Sequence, residues 1–343
     1  MNRRLLSYAL SSAVALVATG AMAPITSAQT NTPTTTPVVV TATSTPTPAT
    51  TSTPVVVTAT STSTPTTPTI TATPASCVVP ASTTPHDGRW FSQTGYRVDN
   101  DTFWDYFNKR GGVNTFGYPS SRTFQFLGFT TQFFQRRVMQ LGPNGNAQLL
   151  NLFDNGLFPF TTINGSTFPA VDASVQGGVP VPSSPTYSTD VINFIKANAP
   201  DNFNGRQVNF FSSFNNQVTL AQAFPNGGGD TTFLQGFDLE MWGAVTSHPS
   251  VEPANNNFIY QRWQRGIMMF DGSSGLTQGV LLADYFKAVI TGNNIPPDLN
   301  SQASSSTFYK QYNNCNTLGI NNPTINGATA LPGTKLQYAF EPQ

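Results

Sequence analysis

The chain has 343 residues, with 16 Lys plus Arg against 16 Asp plus Glu, and only 9% of its residues are charged. A net charge of zero supplies no basic field to hold nucleic acid or an acidic membrane surface, so solubility rests on Asn, Gln, Ser and Thr. The length permits a sizeable core, built as one domain or two.

The N-terminus reads as a secretory signal. Met1-Asn2-Arg3-Arg4 is a positive start, Leu5 to Val17 is an apolar run, and Thr26-Ser27-Ala28 sets small residues before Gln29. Cleavage is expected after Ala28, giving a signal peptide over residues 1–28. A cut after Ala23 would leave Pro24 just beyond it. A retained anchor is the competing reading, but a span needs about 20 apolar residues, and Ser11, Ser12 and Thr19 interrupt this one. No stable membrane span is expected after cleavage, and the destination is extracellular or the cell surface.

Residues 29–76 hold no charged, His or aromatic residue, and the ten residues Thr36–Thr45 recur unchanged as Thr53–Thr62. Such a Thr/Pro-rich segment cannot bury enough apolar surface to offset its ordering entropy, which predicts an extended, disordered stalk. In polyproline II geometry, at about 3.1 Å per residue, its reach is on the order of 150 Å. Pairing of its Val-rich units as strands is the alternative.

Composition changes at Cys77, and a globular module is expected over residues 77–320. The chain's two cysteines, Cys77 and Cys315, bracket it. In an oxidising compartment they read as one structural disulfide, whose long loop could contribute up to about 5 kcal/mol; two unpaired thiols are the alternative. Inside the module, Asp101 can cap a short helix with Phe103, Tyr106 and Phe107 on one face, ended by Gly111-Gly112. Alternating apolar residues over Leu127–Leu141 predict a half-buried strand or hairpin. Ser188 or Thr189 starts a helix through Val191, Phe194 and Ile195 that Pro200 stops. Gln278–Thr291 is predicted as the clearest helix, ended by Gly292. Residues 321–343 are expected to be a loose C-terminal tail.

The module carries a degenerate duplication, with units at about residues 86–160 and 188–299. Gln132-Phe-Phe134-Gln135-Arg136-Arg-Val138-Met139 matches Gln261-Arg-Trp263-Gln264-Arg265-Gly-Ile267-Met268. Upstream lie the related turns Phe116-Gly117-Tyr118-Pro119-Ser120-Ser121 and Trp242-Gly243-Ala244-Val245-Thr246-Ser247. The second copy has Phe237-Asp238 where the first has Gly111-Gly112, which leaves its preceding helix doubtful. Repeated units of this kind stack apolar faces into a shared core. The fold class that follows is α+β, made of repeated short helix plus β-hairpin units in one disulfide-closed module.

These motifs, FGYPSS followed by QFFQRRVMQ, resemble the LGFP-type repeats of bacterial envelope proteins. The longer run from Trp242 through Gly292, with QRWQRG at its centre, resembles a set of secreted bacterial proteins with Thr/Pro-rich stalks, over most of Trp90 to Leu299. The LGFP resemblance covers only the two units, and the second lacks the Pro of Pro119. It implies a propeller-like packing of the units and association with cell-wall glycans.

For catalysis, the two histidines, His86 and His248, lack a nucleophile elbow, and no zinc motif or other cofactor signature is present. Paired carboxylates remain, because a glycosidase needs two flanking the scissile bond; Asp238 and Glu240 beside Trp242 are the candidates. Against them, Asp238-Leu-Glu240 is also what a surface-facing alternation gives. For binding, Trp104, Trp242 and Trp263 offer flat rings, while Gln135, Gln264, Arg136 and Arg265 offer donors for sugar hydroxyls. The competing role for each is structural, with rings in the core and Gln and Arg holding turn carbonyls. Duplication suits linked weak sites more than catalysis. The reading favoured here is a noncatalytic surface module binding envelope or extracellular polysaccharide. A secreted glycan hydrolase and a structural or adhesion protein stand as alternatives.

Overall fold

A computed structural model describes residues 83–312 and 331–343. The expected signal peptide, the stalk and both Cys77 and Cys315 lie outside the described residues.

The first unit opens with a small hairpin, β1 (Trp90–Phe91) against β2 (Tyr96–Arg97). Helix α1 (Asp101–Lys109) follows, buries Phe103, Tyr106 and Phe107, and is capped by Asn100, whose side chain accepts from the Phe103 N–H. The cap is therefore one residue earlier than Asp101, which sits in the first turn where a carboxylate favours the helix dipole. A short helix α2 (Gly112–Phe116) leads into an antiparallel sheet of β3 (Phe124–Phe126), β4 (Phe129–Phe133), β5 (Val138–Leu141) and β6 (Ala147–Leu150), in sequence order. The β3–β4 turn is Leu127-Gly128, both with positive φ (54° and 88°).

A hairpin of β7 (Thr162–Ile163) and β8 (Ser166–Thr167) and helices α3 (Ala173–Gly177) and α4 (Tyr187–Asn198) connect the units. The second unit repeats the plan with a hairpin of β9 (Asn202–Phe203) and β10 (Arg206–Gln207), then helices α5 (Phe210–Asn215), α6 (Leu220–Ala223) and α7 (Leu234–Trp242). Its sheet runs β11 (Ser250–Val251), β12 (Phe258–Trp263), β13 (Gly266–Asp271) and β14 (Leu276–Gly279). Helices α8 (Leu282–Thr291) and α9 (Pro297–Ala303) complete it.

The α+β class and the duplicated plan hold. Among the described residues the two four-stranded sheets do not close into a propeller. The doubtful second helix exists as α7, with Phe237 and Asp238 inside it. Helix α8 starts at Leu282 rather than Gln278, because Gln278 and Gly279 pair with Met269 and Met268 as strand. It ends at Gly292 in the left-handed conformation (φ 71°), as its sequence predicts.

The units share their interior. One cluster joins Phe107, Phe116, Phe134 and Met139 of the first to Trp242, Trp263 and Met268 of the second. They also exchange covers. After the first sheet the chain crosses to the second, where the Phe153 ring lies under the Arg262 guanidinium at 3.7 Å and Phe168 meets Tyr260 edge-on at 4.9 Å. After the second sheet α8 crosses to the first, stacking Phe286 on Phe133 at 5.9 Å.

The tail expected to be loose is docked over residues 331–343. Leu331, Leu336, Ala339 and Phe340 are buried, and the Phe340 ring packs on Phe124 and Phe133 at 5.5 Å each. These four buried apolar side chains let this short segment cover a sheet face. Gln343 then fastens to the first hairpin: its N–H donates to the Gly95 carbonyl (2.7 Å), and its side-chain oxygen accepts from the Arg97 N–H (2.7 Å).

Candidate functional site

In both units the Gln-Arg pair forms the two-residue turn of the central hairpin, between Phe133↔Val138 and Trp263↔Gly266 and their neighbours. The Gln135 side-chain oxygen accepts from the Tyr118 N–H (3.0 Å) and that of Gln264 from the Ala244 N–H (2.8 Å). Their own N–H groups donate back to the Tyr118 and Ala244 carbonyls. This closure needs Gly117 (φ 73°, ψ −175°) and Gly243 (φ 67°, ψ −165°), a backbone region essentially restricted to glycine. The first glutamines of the motif, Gln132 and Gln261, are buried and donate to the Ser121 and Ser247 carbonyls.

The arginines bond main-chain carbonyls. Arg265 donates to the Leu239 and Glu240 carbonyls. Arg136 donates to the Val113 and Gly279 carbonyls and the Gln278 side chain, and burial lowers its pKa. Buried Arg137 lies over the Trp242 ring at 4.3 Å and donates to the Arg265 carbonyl; desolvation pulls it down to about 9. Trp242 and Trp263 are core residues, 3% and 0% exposed. Trp104 is half-buried on α1, stacked on Phe107 and under Arg89. The seven residues proposed from sequence therefore do not form one binding surface. What repeats is a turn geometry, and of the seven only Gln135 and Arg136 line the open cleft between the units.

The two candidate acids do not face each other across a substrate site. Asp238 is wholly buried, accepts from the Val218 N–H (3.2 Å), and is pushed up to about 8 by desolvation. Glu240 pairs with Arg110 (2.9 Å) and accepts from the Tyr106 hydroxyl (2.8 Å). On a helix, residues two apart point in different directions, which is why the strand-like alternation misplaced them. Among the described residues no three His, Cys, Asp or Glu side chains gather to hold a metal ion.

The open space is a cleft of about 910 Å³ between the units. Its floor is the outer face of the second sheet, where the register aligns Phe258 with Asp271 and Tyr260 with Met269 and Gln278. Ile163, Asn164 and Phe168 of the β7–β8 hairpin form one wall, Tyr285 of α8 another, and Asn114, Tyr118 and Arg136 of the first unit the third. Burial raises the pKa values of Tyr260 and Tyr285, so both are neutral phenols at physiological pH.

No protein family, curated protein or solved structure compared with this chain matches it.

The cleft stands on its own chemistry. Rings from Tyr118, Phe258 and Tyr285 mix with amides from Asn114, Asn164 and Gln278, the combination of flat apolar faces and neutral hydrogen-bonding groups that polyhydroxyl ligands need. Sequence reasoning missed these residues apart from Tyr118's place in the FGYP turn. The Phe258–Tyr260 alternation was a signal for a sheet face, but nothing local says which face stays open.

Proposed function

We propose that this protein is an exported module that binds polysaccharide without cleaving it, in the cleft between its two units. One observation carries the reading: a large cleft lined by aromatic rings and side-chain amides, with Asp271 as its single carboxylate among the described residues. A glycosidase needs two carboxyl groups about the scissile bond, and Asp238 and Glu240 line another part of the molecule. The signal-like N-terminus and the Thr/Pro-rich segment support display outside the cytoplasm, and the likeness to LGFP repeats supports an envelope glycan as the ligand class. Trp242, Trp263, Gln264 and Arg265 are excluded from the proposed contacts, since each is occupied in the fold.

The test applies the full chain to a glycan array and repeats it with Gln278→Ala and Tyr285→Ala. Retention on polysaccharide that either variant weakens supports the reading, and so does the lack of released soluble sugar on incubation. Retention on no glycan, or equal retention by both variants, refutes it.

A further inference from the structure

We infer that the cleft selects an uncharged glycan, and that Tyr118 is the ring that fixes its place there. This deepens the polysaccharide reading and rests on it. Among the described residues the ionic groups lining the cleft are one cation, Arg136, and one carboxylate, Asp271, each hydrogen-bonded within the chain. Arg136 is held by two carbonyls and the Gln278 side-chain oxygen. Asp271 accepts from the Ser273 N–H (2.9 Å), the Ser273 hydroxyl (2.6 Å) and the Ser274 hydroxyl (3.0 Å). Asp298, beside the rim, accepts from the Asn164, Gly165 and Leu299 N–H groups. With one cation and one carboxylate the cleft has no net charge to draw in a carboxylate or phosphate, whose lost hydration the already hydrogen-bonded Arg136 would replace only in part, which is unfavourable.

The groups left over are neutral. Among the described residues, the Tyr118 hydroxyl and the Asn114 amide make no hydrogen bond, and the Gln278 amide nitrogen has none. These are donors and acceptors suited to sugar hydroxyls. Tyr118 also marks where the two turns diverge. Its backbone makes the same paired bonds with Gln135 that Ala244 makes with Gln264, yet Ala244 is fully buried and Tyr118 is not. The fold therefore accepts alanine at this point of the turn, and the ring is additional to what the turn requires. The ring packs on Phe91, 5.8 Å away centroid to centroid.

The experiment titrates the full chain calorimetrically with neutral hexasaccharides of glucose, mannose and N-acetylglucosamine, and with the hexasaccharide of galacturonic acid. Each is run at low salt and at about 0.5 M salt, where exposed ionic attraction is screened. The expected result is binding of at least one neutral hexasaccharide with an affinity that salt changes less than about two-fold, and weaker binding of the acidic one. Tyr118→Ala should weaken that binding about ten-fold or more, and Tyr118→Phe by a few-fold, with both melting like the parent. Preferential or salt-sensitive binding of the galacturonate chain, or unchanged affinity in Tyr118→Ala, overturns the inference while leaving polysaccharide binding standing. Binding of no hexasaccharide and retention on no array polysaccharide overturns both.

Discussion

Replacing Asp238 by Asn should remove the pH dependence that this one carboxyl imposes on stability. Asp238 is 0% exposed, one oxygen accepts a single N–H from Val218, and the other is buried with no partner. Burial without a counter-charge favours the protonated acid, raising its value from 3.8 to about 8. The folded state thus holds a proton that the unfolded chain releases near pH 4. Stability from this group is complete below that point and is lost as pH rises toward about 8. At about 1.4 kcal/mol per pKa unit the ceiling exceeds 5 kcal/mol. Local relaxation and water entry lower this, leaving on the order of 2–4 kcal/mol. Asn is neutral at every pH and close in shape to the protonated acid, so Asp238→Asn should match the parent within about 1 kcal/mol at pH 4–5 and be clearly more stable at pH 9. Thermal unfolding followed by circular dichroism in steps from pH 4 to 9 measures the difference, which cancels the contributions of other groups such as Asp154 and Asp284. A gap of several degrees that opens with rising pH is expected. A constant gap, or one that closes, would refute the assignment of a buried protonated acid.

The paired turns give a second expectation: Gly243→Ala should cost about 2–4 kcal/mol by urea denaturation, since its new Cβ would lie 2.6 Å from the Gln264 Cβ at positive φ. Gly117→Ala should behave alike against Gln135, and a loss under about 1 kcal/mol at both would contradict the geometry. Glu240→Gln should lower stability by about 1–2 kcal/mol through the half-buried Arg110 pair and leave polysaccharide retention unchanged; loss of retention would put Glu240 back in the ligand site. A stop codon at position 331 removes four buried apolar residues from the first sheet, worth about 5 kcal/mol. The truncated chain should melt far lower or fail to accumulate in soluble form, and an unchanged melting temperature would show that the tail does not cover the sheet.

The duplication, the α+β class and the end of α8 at Gly292 were legible because each rests on local chemistry: periodic apolar residues, turn glycines and repeated spacing. The role of the repeated Gln and Arg was not. A motif that recurs reports a recurring geometry, and the same residues would recur whether they gripped a sugar or closed a hairpin. Gln135 and Gln264 close a hairpin. Asp238 and Glu240 were misplaced because α7 was masked by its mismatch with Gly111-Gly112, so a helical spacing was read as alternation. The cleft was illegible for a different reason. Tyr118, Asn164, Phe258 and Tyr285 are far apart in sequence and meet only because each unit lends its trailing segment to the other.

The hold of Gln343 on Gly95 and Arg97 brings the end of the described chain back to where it started. The path from the first hairpin through both sheets is therefore nearly a loop. The order of the pieces along the gene matters less than their adjacency, and joining Gln343 by a short linker to Thr84, which its side chain reaches at 3.4 Å, while opening the exposed Gly227-Gly228 turn would keep the contacts among the described residues. The same closure means that tension arriving at residue 83 meets the tail's strap across the first hairpin before it reaches either sheet.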